Sequence, residues 1–205
     1  MRPLVRYLRE NSDYTVVDFS YPTTRKTVAE HAAALPRVID GMPHVTELNF
    51  VGHSLGNIVV RHYLADPADP QSGRQPDPRV KRFVMLAPPN QGALFAETAV
   101  VNVAFRQIGG KPAEQIAREW DRLNLELATP SCEFGVIAGG TRSGVGWNPL
   151  LPGDNDGLVR VDETRLEGAA DFIVVPASHT FIMSRPQTLE CTLRFLHEGR
   201  FTSRR

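Results

Sequence analysis

Three places in the chain carry residue types able to activate a hydroxyl. They are Ser54 within Gly52-His53-Ser54-Leu55-Gly56, an acid within "LLPGDNDGLVRVDETRL" (150–166), and His179 within "PASHTFIMSRP" (176–186). A serine hydroxyl is a poor nucleophile at neutral pH. It needs a base to take its proton, an acid to orient that base, and N–H donors to receive the oxyanion formed on attack at a carbonyl. The string around Ser54 has the form G-x-S-x-G, whose glycines let the chain turn sharply from a strand into a helix. The serine then stands exposed, in a strained conformation, at the helix N-terminus. Such a string arises by chance in roughly one chain in twenty of this composition, so its context decides. "ELNFV" before it reads as a strand and "NIVVRHYL" after it as a helix, the context the motif requires.

In sites of this kind the acid and the base follow the serine in chain order, each on a loop after a later strand. Asp154 and Asp156 are the two acidic candidates, with Asp162 and Glu163 close by as substitutes. His179, flanked by small residues and followed by the last helix, is placed to be the base. His53 adjoins the nucleophile but points elsewhere on the turn, and is assigned to packing around it. His31, His44, His62 and His197 fall on helices or connections and read as surface residues.

The elements that must position these side chains alternate. Residues 3–10 place Leu4, Tyr7 and Leu8 at helical spacing, and Asn11-Ser12-Asp13 ends the pattern. "YTVVDFSYP" (14–22) reads as a strand, and Thr23 or Thr24 as the cap of a helix over 25–40 with Val28, Ala32, Leu35 and Val38 or Ile39 as its apolar stripe. Strands are predicted over 46–52, 80–88, 132–140 and 171–176, and helices over 54–66 and 186–197. Residues 66–79 hold four prolines and almost nothing apolar, the composition of a surface excursion. Two helical patterns, one on Leu94, Val101, Phe105 and Ile108 and one on Ile116, Trp120, Leu123 and Leu127, follow each other without a strand between them. They mark residues 93–128 as a helical cap inserted into a single domain spanning 1–205, either a lid over an acyl cleft or ordinary core. The fold class is α/β, with a mostly parallel sheet covered by helices on both faces.

Bulk properties exclude several functions. Lys+Arg and Asp+Glu both total 23, so no global basic field attracts nucleic acid. The two cysteines, Cys132 and Cys191, are too few for a disulfide framework or a metal cluster, and neither a metal nor an organic cofactor is expected. No window reaches the ~18 apolar residues needed to span a bilayer. Arg2, Arg6, Arg9 and Glu10 break any signal-peptide core, so the sequence as written reads as cytoplasmic.

Together these segments resemble the α/β-hydrolase superfamily, bacterial lipases and esterases in particular. "GHSLGN" is similar to the lipase elbow, "YTVVDFSYP" to a strand ending in a Tyr-Pro turn, "LAPPNQG" to the turn after the next strand, and "NDGLV" to the acid loop. In that loop the acid precedes the glycine, which selects Asp156 over Asp154; the family's base sits some twenty-odd residues later, and His179 is 23 residues after Asp156. The resemblance implies a Ser54–His179–Asp156 triad hydrolysing a small-molecule ester or lipid, with contact to a lipid interface and no nucleic-acid partner. The backbone N–H of Leu55 is one oxyanion donor. The family's second donor comes from a His-Gly loop that has no counterpart in this chain, which starts at what looks like the helix after that loop. Met1 is therefore expected to be internal to a longer protein. In the family's sheet order the missing strand lies between 14–21 and 46–52, so an opening in the middle of the sheet is expected unless the flanking strands close up or another chain fills it. Two other functions use the same residues: an inactive or weakly active scaffold, and a thioesterase or acyltransferase.

Overall fold

The computed structural model describes residues 1–20, 25–65, 76–92 and 110–202. Four strands, β1 (Leu48–His53), β2 (Val80–Leu86), β3 (Glu133–Gly140) and β4 (Asp171–Pro176), form one sheet in the order β1-β2-β3-β4. Every pairing is parallel, with His53 opposite Leu86, Leu86 opposite Ile137 and Ile137 opposite Ile173. Parallel strands all end at the same edge of the sheet. The loops after β1, β3 and β4, which hold Ser54, the acidic candidates and His179, therefore gather there.

Period-two alternation divides each strand between two cores. Phe83 and Met85 of β2, with Phe134 and Val136 of β3, face a layer of five helices. These are α2 (Val28–Ala32), α3 (Leu35–Asp40), α4 (Leu55–Ala65), α5 (110–118) and α6 (Trp120–Leu125). Val84, Leu86, Ile137 and Val175 face the other way, onto α1 (Arg2–Asn11) and the last helix, α7 (Pro186–Glu198). Helices thus cover both faces, and the layering is that of an α/β fold.

Several expectations need correction. The single helix over 25–40 is two helices, because Pro36 in the first turn of α3 has no N–H to give and its ring would strike the carbonyl of Ala32. The cap is Thr27, whose hydroxyl accepts from Glu30 N–H while the Glu30 carboxylate accepts from Thr27 N–H; Thr23 and Thr24 lie outside the described residues. His31 is buried at 2% exposure, facing the core on α2 instead of solvent. Of the cap at 93–128, residues 93–109 lie outside the described residues. In the described remainder Ala113, Ile116 and Leu123 are buried in the helical layer on that face of the sheet, while Leu125 is 88% exposed.

The largest departure is at 14–22. Residues 14–20 form no strand. Tyr14 and Val16 pack on the α1/α7 side and Phe19 on the other. The Tyr14 hydroxyl donates to Leu196 O at 3.0 Å, and Arg9 Nη2 to Val16 O at 2.8 Å. A β-pattern becomes a strand only beside a backbone within ladder distance, and here a cavity of about 1020 Å³ has 13–20 on one wall and β1 on another. Among the described residues the sheet consequently ends at β1: the opening is at an edge of the sheet, and the described flanking segments have not closed over it.

Candidate active site

Ser54 sits between β1 and α4 with φ of 53°, the left-handed region that few residues other than glycine enter. Its N–H donates to Leu86 O at 2.9 Å, which ties the turn to the end of β2. Asn57, fully buried one turn into α4, donates through Nδ2 to both Ser54 O and Leu86 O at 3.0 Å. The Asn57 amide lies against Gly52, where a Cβ would overlap it, so the first glycine of the motif is a matter of close approach. Leu55 opens α4, so its N–H has no intrahelical acceptor and heads the positive end of the helix.

The acid loop folds onto the end of β3. A Cβ at Gly139 would meet Ala177 O at 2.7 Å and the Asp156 Cβ at 2.8 Å, so the absence of a side chain there admits Asp156. Asp156 is 1% exposed. Its Oδ1 accepts from the N–H groups of Leu158 (2.9 Å) and Val159 (2.7 Å), which leaves Oδ2 for His179. The other acids are otherwise engaged. Asp154 accepts from the backbone N–H of Thr141 (2.7 Å) and Arg142 (2.9 Å) beside Gly140. Glu163 is buried and accepts from Arg160 N–H at 2.9 Å, while Asp162 is a largely exposed partner of arginines.

His179 begins a 3-10 turn, His179–Ser184, directly after β4. Its Nδ1 lies 2.7 Å from Asp156 Oδ2 and its Nε2 2.9 Å from Ser54 Oγ. A carboxylate oxygen only accepts, so Nδ1 carries the proton, and the Nε2 lone pair is left to accept from the serine hydroxyl. The main chain repeats the tether, His179 N–H donating to Asp156 O at 2.8 Å. Ser54, His179 and Asp156 thus come together in one hydrogen-bonded line, from elements 125 and 23 residues apart. Ser54 and His179 both line the cavity described above.

His53 is not confined to packing. Its Nε2 lies 3.0 Å from the carbonyl oxygen of His179, and the two rings are 4.9 Å apart at a tilt of 43°. Desolvation, with His179 beside it, pushes its pKa down to about 3, so the ring is neutral. The sequence gives no sign of what Asn57, Gly139 and Gly140 do. Each contributes through space it leaves or carbonyls it ties, and such roles have no motif. Asn90, buried after β2, accepts from Arg61 Nη1 at 3.2 Å and donates to Thr164 O at 2.9 Å, which fastens "LAPPNQG" to the acid loop.

Rival nucleophiles are muted: burial raises the Cys132 thiol to about 11 and shifts Cys191 upward. Among the described residues no group of three or more His, Cys, Asp or Glu is arranged to hold a metal ion, and no helix is long and apolar enough to cross a membrane.

No family model matches the chain, and no curated protein resembles it closely enough to count as a match. Solved structures do. Phospholipase PlaB from Legionella pneumophila superposes with a TM-score of 0.66 at 17% identity, over 96% of this chain and 56% of its own length. A metagenomic carboxyl esterase gives 0.61 at 18% identity over 87% of this chain and 58% of its own. The mature form of a lipase from Bacillus licheniformis gives 0.58 at 17% identity over 85% of this chain and 75% of its own. At such identities the likeness is one of fold, and the chain has the α/β-hydrolase fold.

Proposed function

With that fold as the premise, we propose that the chain is a serine hydrolase of carboxylic esters, of the lipase or esterase kind. One observation carries the reading: the uninterrupted line Ser54 Oγ–His179 Nε2, His179 Nδ1–Asp156 Oδ2, ending on a cavity. Ser54 Oγ attacks the ester carbonyl as its proton passes to His179 Nε2, and buried Asp156 stabilises the imidazolium. His179 returns that proton to the departing alkoxide, leaving an acyl-serine. A water, deprotonated by the same nitrogen, then attacks the acyl carbon and releases the carboxylic acid and free Ser54. Leu55 N–H is one donor to the oxyanion. No second donor is assigned among the described residues, and the open side of β1 is where a further backbone would have to enter to supply it. One missing donor corresponds to about 100- to 1000-fold in turnover.

The cavity walls between 13–20 and β1, with Val16, Phe19, Phe50 and Leu158 among them, suit an acyl chain. Lipid, carboxyl ester and phospholipid are the substrates named for the similar structures, and a lipid or simple ester is the class proposed for this chain. Contact with a lipid surface belongs to the same proposal, with Phe181, 65% exposed two residues after the base, as an apolar side chain available to it. Activity flat across the substrate's solubility limit would remove that part of the reading.

A fluorophosphonate probe is expected to label the wild type and not Ser54→Ala; folded wild-type protein that stays unlabelled would overturn the proposal. The single assigned oxyanion donor favours one second reading, a weakly active or inactive scaffold, and ester hydrolysis that disappears in His179→Ala would end it. Product analysis with competing alcohols and thioesters separates hydrolase from acyltransferase or thioesterase.

A further inference from the structure

The base is held from both sides of its backbone. On the acid side, His179 N–H and Nδ1 both go to Asp156, at 2.8 and 2.7 Å. On the serine side, the dipeptide His53-Ser54 makes two contacts of its own: Ser54 Oγ to His179 Nε2 at 2.9 Å, and His53 Nε2 to His179 O at 3.0 Å. A carbonyl oxygen only accepts, so His53 Nε2 bears a proton and donates it. We propose that His53 is a positioning residue, whose Nε2–H holds the His179 carbonyl and so sets the base at the height of the serine hydroxyl.

The proposal rests on the reading of His179 as the base for Ser54, and three features of the fold support it. First, His53 closes β1, the edge strand, which among the described residues has a ladder partner on one side only; cross-strand contacts cannot by themselves fix this end of the sheet against the loop after β4. Second, that loop reaches β1 across the ends of two intervening strands, so its backbone has no ladder bond to β1, and His53 supplies a direct link. Third, consecutive residues of one strained turn hold the nucleophile and the base's main chain. A shift of β1 therefore carries Oγ and the His179 carbonyl together instead of parting them. The ring remains uncharged through the neutral range, consistent with its lowered pKa, and places no second cation beside the imidazolium that forms on His179.

The test compares two variants of similar length and shape. His53→Gln keeps an N–H donor that reaches the carbonyl, and His53→Met fills the site without one. Against a p-nitrophenyl ester, His53→Met is expected to lower kcat by about 10- to 100-fold, the range associated with a slightly displaced catalytic group, with KM nearly unchanged. His53→Gln is expected to recover most of the loss. His53→Phe, a second non-donor that keeps a ring, is expected to behave as His53→Met does. Full activity in either non-donor, or equal damage in His53→Gln and His53→Met, would overturn the proposal. Proton NMR of the His179 Nδ1–H resonance separates this proposal from the hydrolase reading. The signal is expected to move or broaden in His53→Met and to return in His53→Gln, whether or not esters turn over. An unchanged signal in His53→Met overturns the positioning role alone, whereas a wild type inert to esters and to fluorophosphonate overturns the hydrolase reading alone.

Discussion

The two sides of Ser54 are built differently. Toward β2, β3 and β4 the backbone is paired strand by strand, and buried side chains hydrogen-bond across it: the Asn57 Nδ2 to two carbonyls, Asp156 to two N–H groups and one imidazole. Toward residues 13–20 the sheet stops at β1, and the wall opposite is an irregular segment with Val17 half exposed. For the proposed hydrolysis, proton transfer needs atoms held to a few tenths of an ångström, which the paired side would supply. Admitting an ester needs space, which the unpaired side would supply. The same contrast separates the hydrogen-bonded Ser54–His179–Asp156 line from the open side of β1.

The strongest way to break this comparison is at the two acids of one loop. Asp156→Asn is expected to lower kcat by about 10⁴-fold, because an amide NH₂ facing Nδ1 favours the wrong tautomer of His179. Asp154→Asn, two residues away, is expected to leave turnover near wild type while weakening the bond to Arg142 N–H, at about 1–2 kcal/mol in chemical denaturation. Equal losses of activity would mean that the loop works as a unit and that the paired side owes nothing to Asp156 in particular.

A smaller effect compares the two sides directly. Gly139→Ala forces a methyl group against Ala177 O and Asp156 Cβ, and is expected to destabilise by about 1–3 kcal/mol and to reduce turnover by displacing the acid. Val17→Ser, on the opposite wall, is expected to stay within about 0.5 kcal/mol of wild type. Urea unfolding of both variants would sharpen the contrast, and a Val17→Ser loss as large as that of Gly139→Ala would break it.

The effect that is smallest at neutral pH, and grows only in acid, is in the pH dependence of stability. His53 has a folded-state pKa lowered to about 3 from an ordinary 6.5, so below 6.5 the unfolded chain takes up a proton that the folded chain refuses. Stability from this residue is therefore complete above pH 6.5 and declines as the pH falls toward 3. His53→Gln is expected to flatten that part of the Tm–pH curve. A parallel curve would show that the histidine titrates normally in the folded protein.

Much of this was legible in the residues because it is local. The elbow declares itself by glycine spacing and by the change from period two to helical spacing across Ser54. The order of serine, acid and base follows from loops after successive strands. Three misreadings share one cause. Residues 14–22 have the composition of a strand, residues 25–40 the stripe of a single helix, and His31 the look of a surface residue. In each case a neighbour decided otherwise: an absent ladder partner, a proline ring against a preceding carbonyl, and a core that closes over α2. His53 was assigned to packing because its partner, the carbonyl of His179, lies 126 residues away.

By itself the sequence determined which residue types were available and in what order the chain would deliver them: a nucleophile at a strand-to-helix turn, then carboxylates, then a histidine before the last helix. It also determined the alternation of elements, since apolar periodicity is a property of neighbouring residues. Only the tertiary structure decided how close Asp156 Oδ2 and Ser54 Oγ stand to the His179 ring, that His53 Nε2 meets the His179 carbonyl, and that β1 is an edge of the described sheet with a cavity beside it. These are distances between segments remote in the chain. Hydrogen bonds and van der Waals contacts fall off within a few ångströms, so such relations exist only once packing has brought the segments together.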